Sequence, residues 1–445
     1  MLLIVVDTLR ADHLGSYGYS RDTSPSVTAL SQRGVIFDHA WSQFQETRPS
    51  HVSLMTGLYP RAHGILSNEH GPCRRSLLTW AEILAENGYA TGAVVGNALL
   101  GREFLLDQGF GDYDDLMPSH ELNRPLFGEK KAGDALAASL AWIEKHRDQR
   151  FFFWLHLQDP HGPYLPPESF HRAFAEDGKV VTGRLVEEQR IPKYQRIPGE
   201  LRHDDYVARY DGEIAYADDA VGRLLGRLEE LKISNRTLVV FTSDHGEGMG
   251  ERGYYYLHHV PYVFEEVVRV PLIIAGPGVA PGRRCRARVE LVDVVPTVLD
   301  LLGIPCPAAW KEFRQGRSFL HLLREPQGGS EAVVSEIGAL SFTFGRENLS
   351  VLCTGKWKYI SHPTAGARLY DLDKDPVENH SVLAQQQALA AEFEGLLKRR
   401  GEVDGKLNQS FGPPELWPSE VLERDRIRLE ELGYAQAGTE EDSRR

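Results

Sequence analysis

The stretch TRPSHVSLMTGLYPRAHG, residues 47–64, is the most informative part of this chain. It places the hydroxyl of Thr47, a Pro-Ser pair and the imidazole of His51 just ahead of a predicted helix start. A threonine there can serve as a nucleophile and as a metal ligand, because a divalent cation stabilises its alkoxide. The free N–H groups of the following helix can hold an anion. The stretch therefore indicates chemistry on an anionic substrate.

Two other stretches put polar residues directly after an apolar strand. Asp7 ends an apolar run in VVDTLRAD, and Asp244 with His245 ends another in TSDHGEGMGE. Open α/β sheets build their sites at the carboxyl ends of strands. We therefore expect these residues to meet at one edge of a sheet.

Strands alternate with helices along most of the chain. A helical pattern at 135–145 precedes the apolar run 151–157, and a long amphipathic helix over 205–231 precedes the run 238–243. This alternation predicts an α/β fold with a mostly parallel sheet flanked by helices. From about residue 332 the strands VVSEI, SVLCT, KWKYIS and ARLYDL follow one another without helices between them. They predict an antiparallel subdomain, closed by a helix over 383–399.

Together these motifs resemble the sulfatase family of the alkaline phosphatase superfamily, from residue 2 to about residue 379. The chain also has DPHGPY, FEEVVRVPLIIAGPG, DVVPTVLDLLGIP, KWKYI and LYDLDKDPVEN in the family's order. The resemblance implies an alkaline-phosphatase-like catalytic α/β domain over 1–330 and a smaller C-terminal α+β subdomain over 331–436. We expect a disordered tail at 437–445.

The nucleophile segment departs from the family. Typical sulfatases carry a cysteine or serine where Thr47 stands, which becomes formylglycine, and an arginine where His51 stands. The pattern T-x-P-S-H is more similar to the nucleotide pyrophosphatase/phosphodiesterase branch, which uses an unmodified threonine. We expect Thr47 to be the nucleophile without formylglycine, and His51 either to orient Thr47 or to pack.

The resemblance implies one divalent cation bound by Asp7, Thr47, Asp244 and His245. Asp7 has the alternative of a capping or turn aspartate. Oxygen ligands with one imidazole suit Mn²⁺, Zn²⁺ or Mg²⁺ better than Ca²⁺, which prefers more oxygens. Many sulfatases have a second acidic residue at Thr8, and its absence makes a typical sulfatase calcium site doubtful.

Three further positions are implied to contact the substrate. His161 in DPHGPY is expected to assist the leaving group, with a plain loop histidine as the alternative. His259 is a candidate oxyanion contact or second-metal ligand, with His258 as a rival. Sulfatases often place a lysine and a histidine near Asn97, where this chain offers a neutral amide donor.

Four other polar residues have structural interpretations. His156 lies inside a strand and is predicted to be a satisfied core histidine. Asp159 either caps a turn or binds a second metal, and the turn is favoured. Lys356 and Lys358 are predicted to be strand-surface charges.

Composition narrows the class of protein. The chain has 445 residues with a net charge of −13, which argues against sequence-independent nucleic-acid binding. The 4 cysteines form no CxxC pair. No apolar run reaches about 18 residues, so we expect no transmembrane helix. As the chain stands we expect a cytoplasmic protein; a missing upstream signal segment would make it an exported one.

The sequence thus predicts a metal-dependent hydrolase of sulfate or phosphate esters, acting on a small molecule, a glycan or a lipid. One alternative is a phosphodiesterase, phosphonate monoesterase or phosphotransferase. Another is a non-catalytic binding protein on a sulfatase scaffold. Oligomeric state stays open.

Overall fold

The computed structural model describes residues 1–175, 178, 182–251, 256–260, 263–324 and 349–415. The strands are β1 Leu2–Val6, β2 Gly34–Trp41, β3 Ala90–Val94, β4 Asp112–Asp114, β5 Ser119–Glu121, β6 Arg124–Glu129, β7 Phe151–Leu157, β8 Val239–Ser243, β9 Arg269–Ala275, β10 Arg283–Glu290, β11 Ser350–Thr354, β12 Trp357–Ser361 and β13 Arg368–Asp371. The α-helices are α1 Pro25–Ser31, α2 Thr47–Thr56, α3 Pro60–His63, α4 Trp80–Glu86, α5 Ala132–His146, α6 Glu168–Ala175, α7 His203–Glu230, α8 Glu265–Val268, α9 Val294–Leu302, α10 Ala308–Phe313, α11 Leu320–Arg324 and α12 Gln387–Ser410.

An 8-stranded sheet in the order β10-β2-β9-β8-β1-β7-β3-β4 forms the centre of the molecule. The strand β9 runs antiparallel to both neighbours, while the other pairs in the sheet are parallel. The predicted mostly parallel α/β fold is therefore confirmed. Because β2, β8 and β1 run the same way, their carboxyl ends lie at the same edge of the sheet.

Both faces of the sheet are buried, which is why its central strands are apolar throughout. Leu3 and Val5 of β1 point into one hydrophobic cluster with side chains of α2, α4 and α9. Leu2 and Ile4 point into a second cluster with side chains of α1, α5 and α7. The alternation along β1 thus joins the sheet to helices on both sides.

A 3-stranded antiparallel sheet, β11-β12-β13, forms the predicted C-terminal subdomain together with α12. The predicted helix over 383–399 begins and ends later than expected, as Gln387–Ser410. The predicted strand 333–337, the boundary at 330 and the tail 437–445 lie outside the described residues.

The prediction that Lys358 is a surface charge is wrong. Its side chain is fully buried and pairs with Glu378 at 2.8 Å and with Glu265 at 3.1 Å. Strand alternation turns Lys358 inward, because its neighbours Trp357 and Tyr359 occupy the other face. Lys356, by contrast, is partly exposed and pairs with Asp371.

In the described part of the chain, no helix has the length and apolar character needed to cross a membrane.

Candidate active site

The strand ends bring the predicted metal ligands together. Asp7 follows β1 and Asp244 follows β8, and these two strands are neighbours in register from Leu2 with Val239 to Val6 with Ser243. One atom from each of Asp7, Asp244 and His245 lies within 4.8 Å of the others. All three side chains are fully buried.

Three atoms at this point have no hydrogen-bond partner among the described residues: Asp7 Oδ1, Asp244 Oδ2 and His245 Nε2. His245 Nε2 lies 3.9 Å from Asp7 Oδ1 and 3.5 Å from Asp244 Oδ2. Buried carboxylates without partners are costly, and a cation would satisfy all three atoms at once. The arrangement therefore fits a divalent cation with oxygen and imidazole ligands.

Burial shapes the protonation of both carboxyl groups. It raises the pKa of Asp7 well above its usual range, and the neighbouring Asp244 raises it further. Burial raises the pKa of Asp244 to about 8. Cation binding would have to displace protons from this pair.

The second carboxylate oxygen of Asp7 and of Asp244 accepts hydrogen bonds from the protein. The Asn97 amide donates to Asp7 Oδ2 at 2.9 Å, so Asn97 contacts a predicted metal ligand, and its role toward substrate stays a prediction. The N–H groups of His245 and Thr8 donate to Asp244 Oδ1 at 2.9 and 3.3 Å. Thr8 has φ +55°, a conformation that a threonine rarely adopts. Many sulfatases have a second acidic residue at the position of Thr8. In this chain the backbone N–H of Thr8 instead donates to Asp244.

Thr47 is the first residue of α2, so the helix begins at the predicted nucleophile and not after it. Ser50 Oγ donates to the backbone oxygen of Asp244 at 2.7 Å, which ties the start of α2 to the end of β8. His51 lies one turn into the helix, and its Nδ1 lies 2.7 Å from the carbonyl oxygen of Thr47. Its side chain therefore contacts the backbone of Thr47.

The predicted anion site on the N–H groups of α2 is wrong for most of the first turn. The Arg48 N–H donates to Asn68 Oδ1 at 2.9 Å, and Pro49 has no N–H. The Ser50 N–H donates to the backbone carbonyl oxygen of Glu46 at 3.2 Å. An anion must therefore be held mainly by side chains and a cation.

The histidines predicted to contact the substrate and its leaving group lie beside His245; we call this part of the site the leaving-group side. The ring of His259 lies 4.4 Å from that of His245, and the ring of His161 lies 6.1 Å from that of His259. His161 Nδ1 lies 2.8 Å from the carbonyl oxygen of Gly162, so Nδ1 carries the proton. Burial and the nearby Arg124 lower the pKa of His161 well below its usual value. His259, more than His258, approaches the cation side.

Three charged residues at this end were not singled out from the sequence: Glu121, Arg124 and Glu247. Arg124 donates to both oxygens of Glu121 at 2.5 and 2.6 Å, and its guanidinium lies 4.4 Å from the ring of Tyr194. Glu247 Oε1 lies 3.4 Å from His259 Nδ1. The sequence signals were weak: a Glu and an Arg in the hairpin β5–β6, and a glutamate two residues after His245.

His156 does not have the predicted role of a satisfied core histidine. Its Nε2 has no hydrogen-bond partner and lies 3.6 Å from Asp7 Oδ2. The prediction failed because β7 places this ring beside the end of β1, where the ligands meet. Asp159 Oδ2 accepts the N–H of Ala132 at 2.7 Å, so Asp159 caps the first residue of α5, whereas the prediction placed its capping role on its own turn.

Comparison with known families gives a match to the sulfatase model over residues 1–304, and to the C-terminal model of N-sulphoglucosamine sulphohydrolase over 250–400. The chain belongs to the sulfatase family. It is a sulfuric or phosphoric ester hydrolase, in a family of metal-dependent enzymes. The resemblance noted from the motifs is confirmed.

Similar proteins span most of the chain. Choline-sulfatase of Rhizobium meliloti (strain 1021) is 26% identical over 429 residues, covering 85% of this chain and 81% of that protein. Arylsulfatase K of Xenopus laevis is 26% identical over 427 residues, covering 84% and 77%.

Solved structures share the fold. The phosphonate monoester hydrolase of Agrobacterium radiobacter matches with a TM-score of 0.70 and 23% identity, over 90% of this chain and 95% of its own. A protein in complex with D-glucosamine-2-N,6-O-disulfate matches with a TM-score of 0.73 and 18% identity, over 93% and 99%.

Proposed function

We propose that this sulfatase-family enzyme hydrolyses sulfate or phosphate esters with Thr47 as its nucleophile. Asp7, Asp244 and His245, together with the hydroxyl of Thr47, would hold a divalent cation. The observation that carries this proposal is the convergence of three unpaired, buried ligand atoms beside the first turn of α2. A scaffold that only bound its partner would have no need for this arrangement.

When bound, the cation would favour the alkoxide of Thr47 and draw charge from a non-bridging oxygen of the ester. Thr47 Oγ attacks sulfur or phosphorus in line, and the bond to the leaving oxygen breaks. Water then attacks the same sulfur or phosphorus, which frees Thr47 and releases the acid. His51 holds the carbonyl of Thr47 during both steps.

His161 supplies the proton to the leaving oxygen. Its Nδ1–H is held by Gly162, so Nε2 is the atom that remains for the ester. In the free protein the imidazole is neutral, since burial and Arg124 lower its pKa. An anionic ester beside it would raise that pKa, so the histidine takes up its proton together with the substrate.

The preferred substrates in this proposal are phosphodiesters or phosphonate monoesters. An unmodified threonine lacks the geminal hydroxyl through which formylglycine expels sulfate. Asn97 and His51 are neutral where typical sulfatases have cations, and a singly charged diester needs less compensation than the dianion of a phosphate monoester. A sulfate monoester is also singly charged, so the preference over sulfate rests on the missing geminal hydroxyl. The second candidate is a plain sulfate ester hydrolase, which is favoured by the relatives named choline-sulfatase and arylsulfatase K.

A direct comparison distinguishes the two candidates. The metal-loaded enzyme is given the 4-nitrophenyl esters of sulfate, methyl phosphate and phenylphosphonate, which share one leaving group. We expect a higher kcat/KM for a phosphorus ester. A sulfate ester preferred by more than about tenfold, or ~1.4 kcal/mol of transition-state binding, would favour the plain sulfatase.

The nucleophile has its own test. Thr47→Ala should lower kcat by several orders of magnitude, because the covalent route is lost, while Thr47→Ser keeps a hydroxyl and some activity. Thr56→Ala, at the other end of α2, is the matched control, since the Thr56 hydroxyl donates to the carbonyl oxygen of Val52 within the helix. Near wild-type turnover in folded Thr47→Ala protein would exclude Thr47 as nucleophile.

A further inference from the structure

Two buried histidines lie next to the predicted metal ligands Asp7 and Asp244. His51 in α2 and His156 in β7 have no exposed surface, and their ring centres are 4.9 Å apart. Within the part of the chain that the structure describes, the Nε2 atom of each ring has no hydrogen-bond partner. A buried polar atom without a partner costs about 1–3 kcal/mol, so a purely structural role would favour an apolar side chain at both positions.

The orientation of His156 is set by its other nitrogen. The N–H of Gly96 approaches Nδ1 at 3.4 Å as a donor, so Nδ1 carries the lone pair and Nε2 carries the proton. Asp7 Oδ2 lies 3.6 Å from Nε2, which is beyond hydrogen-bond distance but near enough for an electrostatic contact. The same oxygen accepts from Asn97. Asp7 Oδ2 therefore has a donor in Asn97 and the N–H group of His156 nearby, which leaves Oδ1 for the cation.

His51 links the nucleophile to the other carboxylate. Its Nδ1–H donates to the carbonyl oxygen of Thr47 at 2.7 Å and lies 3.6 Å from Asp244 Oδ2. One N–H group thus donates to the backbone of Thr47 and lies near a predicted metal ligand without a hydrogen bond to it.

We propose that His51 and His156 are positioning residues of the cation site, which fix Asp244, Asp7 and the Thr47 backbone from beneath through neutral N–H groups. The proposal rests on the cation site of the proposed function. Burial lowers the pKa of His51 to about 3, so it adds no positive charge. The two histidines would therefore act by orienting the metal ligands. Mutation of groups that orient metal ligands commonly lowers metal affinity 10–100-fold.

The same residues meet one requirement of a second cation site. Ligand atoms of His51, His156 and Asp244 lie within 4.8 Å of one another. The proton on His156 Nε2 opposes this use, because a metal ligand must offer a lone pair there. A second bound cation is therefore an outcome that the experiment must detect.

The experiment measures Mn²⁺ on the full chain, with affinity from electron paramagnetic resonance and stoichiometry from elemental analysis. We expect one Mn²⁺ per wild-type chain. His156→Leu and His51→Leu should each raise the Kd about tenfold or more. His156→Gln places an N–H near the Nε2 position and should recover most of the affinity, whereas His156→Asn should not. The Gln–Asn pair keeps the test valid if a leucine variant does not fold.

His63→Leu is the matched control. His63 is also fully buried, burial also lowers its pKa to about 3, and it bonds Ser53 and Ile65 away from the ligands. It should lower the melting temperature and leave the Kd for Mn²⁺ unchanged.

Three results would overturn the inference. One is an unchanged Kd in His156→Leu and His51→Leu, and a second is an equal loss of affinity in His63→Leu. The third is two Mn²⁺ per wild-type chain with one lost in His156→Leu, which would make these histidines ligands. If the wild-type chain binds no Mn²⁺, or Asp244→Ala binds it equally well, the cation site of the proposed function fails as well.

Discussion

The two ends of the candidate site are built in different ways. At the cation side, Asp7 and Asp244 directly follow paired strands, and their free oxygens point at one place. At the leaving-group side, His161, His259 and Arg124 come from loops and from the hairpin β5–β6. The pairing register of β1 and β8 determines where Asp7 and Asp244 lie. The packing of loops determines where the residues of the leaving-group side lie.

The electrostatics differ as well. The cation side holds two buried carboxylates that require positive charge. The leaving-group side holds histidines kept neutral by burial, with Arg124 adding to the effect on His161 and His259. The first end is therefore prepared for a cation, and the second is prepared to take up a proton with an anionic substrate.

The largest effect is expected from removing a ligand on the cation side. Asp244→Ala should abolish tight cation binding and lower kcat/KM about 10³-fold or more, since a cation supplies several kcal/mol of transition-state stabilisation. Asp12→Ala is the control: this carboxylate lies in the same region of the fold, is 53% exposed and pairs with Arg10. Retained cation binding in Asp244→Ala would show that the two ends do not differ as described.

Replacing His161 should give the next largest effect. His161→Gln should lower kcat about 10²–10⁴-fold for a phenyl leaving group, because a general acid is lost. The loss should be much smaller for 4-nitrophenol, which leaves without a proton. His120→Gln, an exposed histidine of the same hairpin as Arg124, is the control. Equal losses for both leaving groups would contradict a proton-transfer role.

The pH dependence of cation binding tests the cation side of the site without a mutation. Folding raises the pKa of Asp244 to about 8, so below that pH a proton must leave before the cation binds. Mn²⁺ affinity should therefore increase between pH 6 and pH 8, by about tenfold per pH unit for each proton that Asp244 or Asp7 gives up. A flat affinity between pH 6 and pH 8 would mean that Asp244 is already ionised in the free protein.

The sequence predicted the cation side well for a physical reason. A polar residue directly after a buried parallel strand lies at the edge of the sheet, so the pattern placed Asp7, Asp244 and His245 at one edge, while their role as ligands came from the family resemblance. Arg124 and Glu247 were missed, because no periodicity marks a loop residue that later packs against a histidine.

Two errors have a common origin. The sequence shows that His156 and Lys358 lie in strands, but it does not show what each faces. His156 meets a carboxylate of the next strand, and Lys358 meets two glutamates from other elements. A polar residue inside a strand is therefore best interpreted by its partners across the fold, which strand pairing reveals and local sequence does not.

The smallest effect on catalysis is expected far from both ends, at Lys358. Lys358→Met would leave Glu265 and Glu378 without their buried cation, and breaking such a pair usually costs about 3–5 kcal/mol of unfolding free energy. Since Lys358 contacts no residue assigned to the site, kcat/KM per folded molecule should stay within about twofold. Urea unfolding measures the first quantity, and active-site-titrated kinetics the second. Lys356→Met, in the same strand-turn region, removes a 38% exposed charge paired with Asp371 and should cost only about 0–1 kcal/mol. If the two variants are equally stable, the buried pair does not hold the subdomain; if Lys358→Met also loses catalysis per folded molecule, the C-terminal sheet supports the cation side as well.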